Sequence, residues 1–105
     1  MDHPNTNYHD SSLQDFVLGP RREIQLRVGL PSRGAVSIRF GAITNFETVR
    51  AFFTRLERPA IPGQYLDTIE SLQPAAGGWQ LCLDHGGDVS IQTGKSPTVL
   101  PLDGG

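Results

Sequence analysis

The chain has 105 residues, the size of one ordinary domain, and a formal net charge of −2 at pH 7. Its 12 Gly and 8 Pro favour short strands and turns over a helix bundle. The single cysteine, Cys82, excludes an intramolecular disulfide, and no apolar run approaches the ~20 residues that a membrane span requires.

The first half of the chain predicts strands. After a loose amino-terminal end over 1–11, Leu13–Leu18 predicts a short strand. Two runs, Glu23–Leu30 and Ala35–Ala42, then alternate apolar and polar residues, which is the period of a strand with one buried face. Because the four residues of Pro31–Gly34 between them are rich in turn formers, the pair predicts an antiparallel hairpin.

The segment after this hairpin predicts a helix. Thr44-Asn-Phe-Glu47 matches a capping box, in which the Thr and Glu side chains bind free backbone N–H groups at the helix start. Pro59 is expected to end the helix. Apolar residues at spacings of three and four predict one buried helix face, formed by Phe46, Val49, Phe52, Phe53 and Leu56.

Residues 64–72 fit a helical turn and a strand about equally well. The β-branched Thr68 and Ile69 tilt the interpretation towards a strand. Residues 74–78 are predicted to connect two elements, and the Pro- and Gly-rich residues 95–105 are expected to form a loose end.

A second hairpin is predicted near the end of the chain. Trp79–Leu83 and Val89–Thr93 alternate apolar and polar residues, and Asp84–Asp88 between them has turn chemistry. Together these elements predict an α+β fold with a single domain over 1–105, in which an antiparallel sheet of four to six short strands packs on one main helix.

Charge is segregated along the chain. Residues 21–58 carry a net charge of +5, whereas residues 1–20 carry −3 and residues 59–105 carry −4. One interpretation is a basic surface for an anionic partner, and the other is that the acidic and basic segments neutralise each other in the fold. The candidate partner surface consists of Arg21, Arg22, Arg27, Arg33 and Arg39.

Catalysis is not expected. Cys82 and His85 are three residues apart, but a thiol in a strand with no oxyanion site beside it is usually a packing group. The interpretation of Asp84–Asp88 as a hairpin turn is favoured over a metal loop, because its spacing matches no standard metal loop. His3, His9 and Asp10 form another loose cluster, and there the interpretation that His9 and Asp10 order the entry to the first strand is favoured over a metal site. We therefore predict no enzyme activity, no cofactor and no metal.

The segment from Arg33 to Phe40 partly matches a nucleic-acid motif. Arg33, Gly34, Ile38 and Phe40 fit slots of an RNA-recognition strand, but Ala35 and Ser37 occupy its base-stacking slots. A turn also stands where that fold has a helix. Specific RNA binding is rejected, and weak, non-specific binding of nucleic acid by the Arg-rich hairpin remains the alternative function.

Three stretches together resemble small bacterial α+β proteins of the polymorphic-toxin immunity type: Tyr8-His-Asp-Ser-Ser-Leu13, Ser37-Ile-Arg-Phe-Gly-Ala-Ile43 and Trp79-Gln-Leu-Cys-Leu-Asp84. The resemblance covers most of residues 8–93 and implies a protein-binding domain without catalysis. No partner-facing residue is carried over from that family. Because the amino terminus lacks the basic and apolar stretches of a secretory signal, we expect a cytoplasmic protein. We expect its partner to be another protein, and we expect no membrane binding.

Overall fold

The computed structural model describes residues 8–31, 34–56 and 64–102. Within these ranges the chain forms seven strands and one helix: β1 Ser11–Gly19, β2 Glu23–Leu30, β3 Gly34–Phe40, α1 Phe46–Thr54, β4 Asp67–Ala75, β5 Gly78–Leu83, β6 Gly87–Gln92 and β7 Thr98–Pro101. The strands form one sheet in the order β6-β5-β4-β1-β2-β3-β7, and all neighbouring strands are antiparallel. None of the described helices has the length and apolar character needed to span a bilayer.

The predicted fold is confirmed in outline and wrong in two respects. An antiparallel sheet does pack beside a helix, but it has seven strands rather than four to six. The helix is only nine residues long, so the sheet and not a main helix dominates the architecture. The uncounted strand is β7, which lies within the segment 95–105 that was expected to be loose.

Both predicted hairpins are present. β2 pairs with β3 in the register Ile24↔Phe40 to Leu30↔Gly34, and β5 pairs with β6. The ambiguous segment 64–72 contributes to β4, which continues to Ala75. The predicted connection over 74–78 is therefore wrong, because only residues 76 and 77 separate β4 from β5, with Gly77 at φ +79°.

The core lies on one face of the sheet and is closed by α1. Alternate residues of the strands face it, because the side chains of a strand point to opposite faces in turn. The helix contributes Val49, Phe52 and Phe53, and the ring centroid of Phe53 lies 5.3 Å from that of Phe16 on β1. The largest completely buried strand residues are Leu13, Ile24, Leu26, Ile38, Phe40, Ile69, Leu72, Leu81 and Ile91.

The sheet is strongly curled around this core. Phe40 on β3 and Trp79 on β5 have ring centroids 6.0 Å apart in an edge-to-face arrangement. β4, β1 and β2 lie between their strands in the sheet order. In a flat sheet the two strands would be about 19 Å apart, at roughly 4.8 Å per strand. The aromatic contact therefore spans the concave side of the sheet and joins its two halves.

The gap between these halves is closed by the segment that leads into α1. The side-chain amide of Asn45 donates to the Ser90 carbonyl at 2.8 Å and accepts from the Gln92 N–H at 2.9 Å. The backbone N–H of Thr44 also donates to the Gln92 carbonyl, at 2.8 Å. Asn45 thus satisfies the outer edge of β6 as a neighbouring strand would.

The same contacts make the predicted capping box wrong. The residue before the helix is Asn45 rather than Thr44, and the Asn45 side chain makes no capping hydrogen bond to the first turn. The Thr44 hydroxyl lies 3.2 Å from the Gln92 carbonyl and donates to it. The Thr44 and Asn45 side chains therefore hydrogen-bond to β6 instead of capping the first turn of the helix.

Replacing Asn45 with alanine is expected to lower the free energy of unfolding by about 2 kcal/mol, because a half-buried donor on Gln92 and an acceptor on Ser90 lose their partner. Urea denaturation measures the change. Thr48→Ala is the control, since Thr48 is exposed on α1, and it should stay within about 0.5 kcal/mol of the original protein. A loss for Asn45→Ala as small as that of the control would show that the contact of Asn45 with β6 contributes nothing to stability.

Candidate interaction surface on the outer face

The face of β1, β2, β3 and β7 opposite the core is here called the outer face. The strand register arranges its residues in rows across the sheet. One row joins Val17, Gln25, Arg39 and Thr98, and the next joins Asp15, Arg27, Ser37 and Leu100. Arg27 and Arg39 are therefore diagonal neighbours on adjacent strands, a separation that long side chains can bridge.

The five predicted partner-surface arginines do not all lie together. Arg27 and Arg39 share the outer face, whereas Arg21 and Arg22 lie in the turn between β1 and β2. Arg22 lines a separate depression at the start of α1, and its carbonyl accepts from the Ile43 N–H. Arg33 lies outside the described residues.

Neither Arg27 nor Arg39 forms an ion pair with a carboxylate of the described residues. Among residues 8–31, 34–56 and 64–102, the ion pairs join Arg50 to Glu47, His9 to Asp10 and His85 to Asp67. Arg27 and Arg39 are both exposed. Arg27 and Arg39 therefore present their positive charges to solvent on the outer face.

Arg27 is held in a defined orientation by Gln14. Its Nε–H donates to Gln14 Oε1 at 3.0 Å. Gln14 reaches Arg27 by crossing Gly29, where a Cβ atom would collide with the Gln14 amide nitrogen and lie 2.6 Å from Ser12 Oγ. The absence of a side chain at Gly29 therefore makes room for the hydrogen bond that orients Arg27.

A groove of about 480 Å³ opens on the outer face beside this pair. Ser12, Gln14 and Arg27 line one part of it, and the exposed Tyr65 and half-buried Thr68 line another. Asp10 is also part of its lining. The groove is thus mostly polar, with a guanidinium on one strand and a carboxylate on the segment before β1.

Exposed apolar side chains lie beside the arginines. Val17 is 61% exposed and Leu100 is 57% exposed, although both are on strands. Val17, Arg27 and Leu102 line one shallow depression of about 170 Å³. The outer face therefore combines solvent-exposed aliphatic groups with oriented positive charge.

The residues considered for catalysis, Cys82 and His85, have different surroundings. Cys82 lies half-buried on β5, opposite Asp88 of β6 and Ser71 of β4. His85 lies in the turn after β5, and its Nδ1 is 3.2 Å from Asp67 Oδ1. The imidazole is thus bound to a carboxylate at the core rather than to the thiol.

Asp67 is the one buried carboxylate among the described residues, and it organises the turn between β5 and β6. Its oxygens accept from the backbone N–H groups of Thr68 at 2.8 Å, His85 at 3.2 Å and Gly86 at 2.7 Å. Burial raises the pKa of Asp67, but these hydrogen bonds and the His85 side chain outweigh burial and hold its pKa below the usual value.

In the part of the chain that the structure describes, no three His, Cys, Asp or Glu side chains lie close enough together to hold a metal ion. His3 lies outside that part. His9 Nδ1 lies 2.8 Å from the Glu70 carbonyl, and this contact, followed by the neighbouring Asp10 carboxylate, raises the pKa of His9. The Asp10 N–H donates to the Ile69 carbonyl, so the segment before β1 is attached to β4.

Sequence reasoning identified Arg27 and Arg39 but missed Gln14, Gly29 and the apolar residues beside them. A glycine within a strand pattern often marks a close approach of another group, and Gly29 carried that signal. Comparisons of this chain with protein families, with curated proteins and with solved structures find no match.

Proposed function

We propose that this protein is a protein-binding domain without catalytic activity and that the outer face is its docking surface. The observation that carries the proposal is that Val17, Arg27 and Leu102 line the same depression on the outer face. Arginine beside exposed apolar groups is the composition that favours protein interfaces, where a desolvated centre is surrounded by polar groups. The resemblance to immunity proteins implies the same kind of function, a stable domain that binds another protein.

The charge layout supports a protein partner over a nucleic acid. A phosphate backbone presents regularly repeated negative charge and favours a continuous basic track. Here Arg22, in the turn between β1 and β2, lines a different depression from Arg27, and Asp10 and Asp15 border the outer-face depressions. A mixed surface of this kind suits a partner with matching individual charges better than a polyanion.

The edge of β7 supports docking on the face rather than addition of a strand. The Leu102 N–H donates to the Ala35 carbonyl, so Leu100 and Thr98, at alternate positions, also bond to β3. The outward positions are then 97, 99 and 101, and two of these are proline, which has no N–H to donate. Val99 is left as the sole donor along this stretch of the edge.

The test is capture of a partner with matched charge variants. We expect the protein to retain a protein partner, and the double variant Arg27→Glu/Arg39→Glu to bind that partner more than about tenfold more weakly, because like charges then face each other. Arg50→Glu is the control for charge reversal at one arginine, since Arg50 is exposed on α1, away from the outer face. Binding is measured with the purified partner at physiological salt.

Two results would contradict the proposal. In the first, the partner binds the double variant and the Arg50→Glu control equally well, which would move the interface away from the outer face. In the second, no protein is retained but single- or double-stranded DNA binds with strong salt dependence and is lost in the double variant. That result would assign the arginines to nucleic-acid binding.

A further inference from the structure

We infer that the groove beside Arg27 is a carboxylate-binding subsite that receives one Asp or Glu side chain of the protein partner. This inference rests on the proposed function, since it names the chemistry that the docking surface recognises. Its basis is the arrangement of Gln14, Arg27 and Gly29. Gln14 orients the Arg27 guanidinium before any ligand binds, and Gly29 leaves room for this contact.

The geometry leaves a specific edge of the guanidinium available. Arginine has five N–H donors, and the Nε–H of Arg27 is taken by Gln14 at 3.0 Å. No carboxylate of the described residues lies within ion-pair distance of Arg27. The four Nη–H groups remain, and the two that point away from the stem can bind both oxygens of a carboxylate at once.

Preorganisation distinguishes Arg27 from its neighbour Arg39. An arginine side chain loses considerable rotamer freedom when it is fixed by a ligand, and part of that cost is already met where a hydrogen bond orients the guanidinium beforehand. Gln14 provides this bond at Arg27, while no described side chain does so at Arg39. The groove beside Arg27 also holds the hydroxyl-bearing residues Ser12 and Thr68, which can hydrogen-bond a second polar atom of the partner.

A second charge in the groove limits the ligand to one carboxylate. Asp10 lines the same groove as Arg27. A run of acidic residues would bring a second negative charge close to the Asp10 carboxylate. An isolated Asp or Glu side chain avoids that repulsion, so single acidic residues are favoured over acidic clusters and over phosphodiester chains.

The test uses the full-length protein and two capped tripeptides, acetyl-Ala-Glu-Ala-amide and acetyl-Ala-Gln-Ala-amide, at physiological salt. The Nε–Hε signals of Arg27 and Arg39 and the amide signal of Gly29 are followed by NMR. We expect the Glu peptide to shift the Arg27 and Gly29 signals saturably, with an apparent affinity at least about fivefold higher than at Arg39. The Gln peptide should shift neither arginine.

Two variants separate a bidentate subsite from simple charge attraction. Arg27→Lys keeps the charge but lacks the planar fork, and Gln14→Ala keeps the arginine but removes its anchor. We expect each variant to bind the Glu peptide about fivefold more weakly, while its amide spectrum stays close to that of the original protein. Gln73→Ala, an exposed residue of β4, is the matched control and should bind as the original does.

The inference is overturned if the Glu peptide shifts Arg27 and Arg39 alike, if Arg27→Lys binds as well as the original, or if no signal responds. None of these outcomes bears on whether the outer face binds a protein, because that is decided by partner capture with the Arg27→Glu/Arg39→Glu variant. A domain that captures its partner but ignores the peptide would retain the proposed function and lose the subsite.

Discussion

Replacing Phe40 with alanine is expected to lower the free energy of unfolding by about 3–5 kcal/mol. Phe40 is completely buried on β3, and its ring meets that of Trp79 on β5 at 6.0 Å across the concave side of the sheet. Alanine would remove most of the apolar surface at this contact and leave a cavity. Because domains of this size are stable by only ~5–15 kcal/mol, the loss would be a large part of the total.

Urea denaturation followed by tryptophan fluorescence is a direct measurement, since Trp79 is the only tryptophan and lies against Phe40. Phe40→Leu should cost less, about 1–1.5 kcal/mol, because it retains most of the volume. Tyr65→Ala is the control for loss of an aromatic ring at an exposed site, and it should change stability by no more than about 0.5 kcal/mol. A Phe40→Ala cost below 1 kcal/mol would contradict the closed packing of the two sheet halves.

The parts of the fold that could be predicted are those recorded by local patterns. In β2 and β3 every second residue faces the core, from Ile24 to Phe40, and the register follows from a short turn. The buried face of α1 was likewise legible from the spacing of Val49, Phe52 and Phe53. In each case a single periodicity determines both the secondary structure and the direction of burial.

β7 could not be predicted in this way because burial does not define it. All four of its residues are exposed, so no alternation between buried and exposed side chains marks the strand. It forms because the backbone of β3 from Val36 to Arg39 has a free edge that needs hydrogen-bond partners. A strand held mainly by backbone pairing at an edge carries little signal in its side chains.

The start of α1 shows how a tertiary contact overrides a local motif. Thr44 and Glu47 have the right types and spacing for a capping box, but β6 offers Thr44 and Asn45 unpaired groups on Ser90 and Gln92. Those groups are about 45 residues away in the chain. A local pattern contains no information about backbone groups so distant in the chain. Thr44 and Glu47 could cap an isolated helix, but in the folded protein β6 competes for the Thr44 side chain.

The candidate site was partly predictable for the same reasons. Alternation placed Arg27 and Arg39 on the outer face, and the structure confirms that placement. The link from Gln14 to Arg27 depends on the irregularity in β1 between Leu13 and Asp15, which interrupts the regular pairing with β2. A one-residue irregularity of this kind changes which side chains meet, and it left no distinct pattern in the sequence.

Replacing Asp67 with asparagine is expected to lower the free energy of unfolding by about 2–3 kcal/mol near neutral pH. The carboxylate accepts hydrogen bonds from Thr68, His85 and Gly86 while almost completely buried. An amide keeps one acceptor oxygen but turns an NH₂ group towards donors that need an acceptor. There is little space for an adjustment, since a Cβ atom at Gly86 would lie 3.1 Å from Asp67 Oδ2.

The loss should depend on pH in a direction fixed by the pKa of Asp67. That pKa is lowered in the folded protein, so the carboxylate contributes its stability above the unfolded-state pKa of about 3.9, and the contribution disappears as pH falls through the lower folded-state pKa. The difference in stability between the original protein and Asp67→Asn should therefore be constant from about pH 5 upwards and shrink below it.

Denaturation curves at a series of pH values measure this difference, with His85→Ala as the control. His85 keeps its backbone N–H in that variant, and its side chain is 88% exposed, so the control should lose less than about 1 kcal/mol. A stability difference for Asp67→Asn that stays unchanged down to pH 3 would show that the ionised carboxylate is not what holds the turn between β5 and β6. Equal losses in Asp67→Asn and His85→Ala would instead assign the stabilisation to the imidazole contact, against the three backbone hydrogen bonds that the geometry favours.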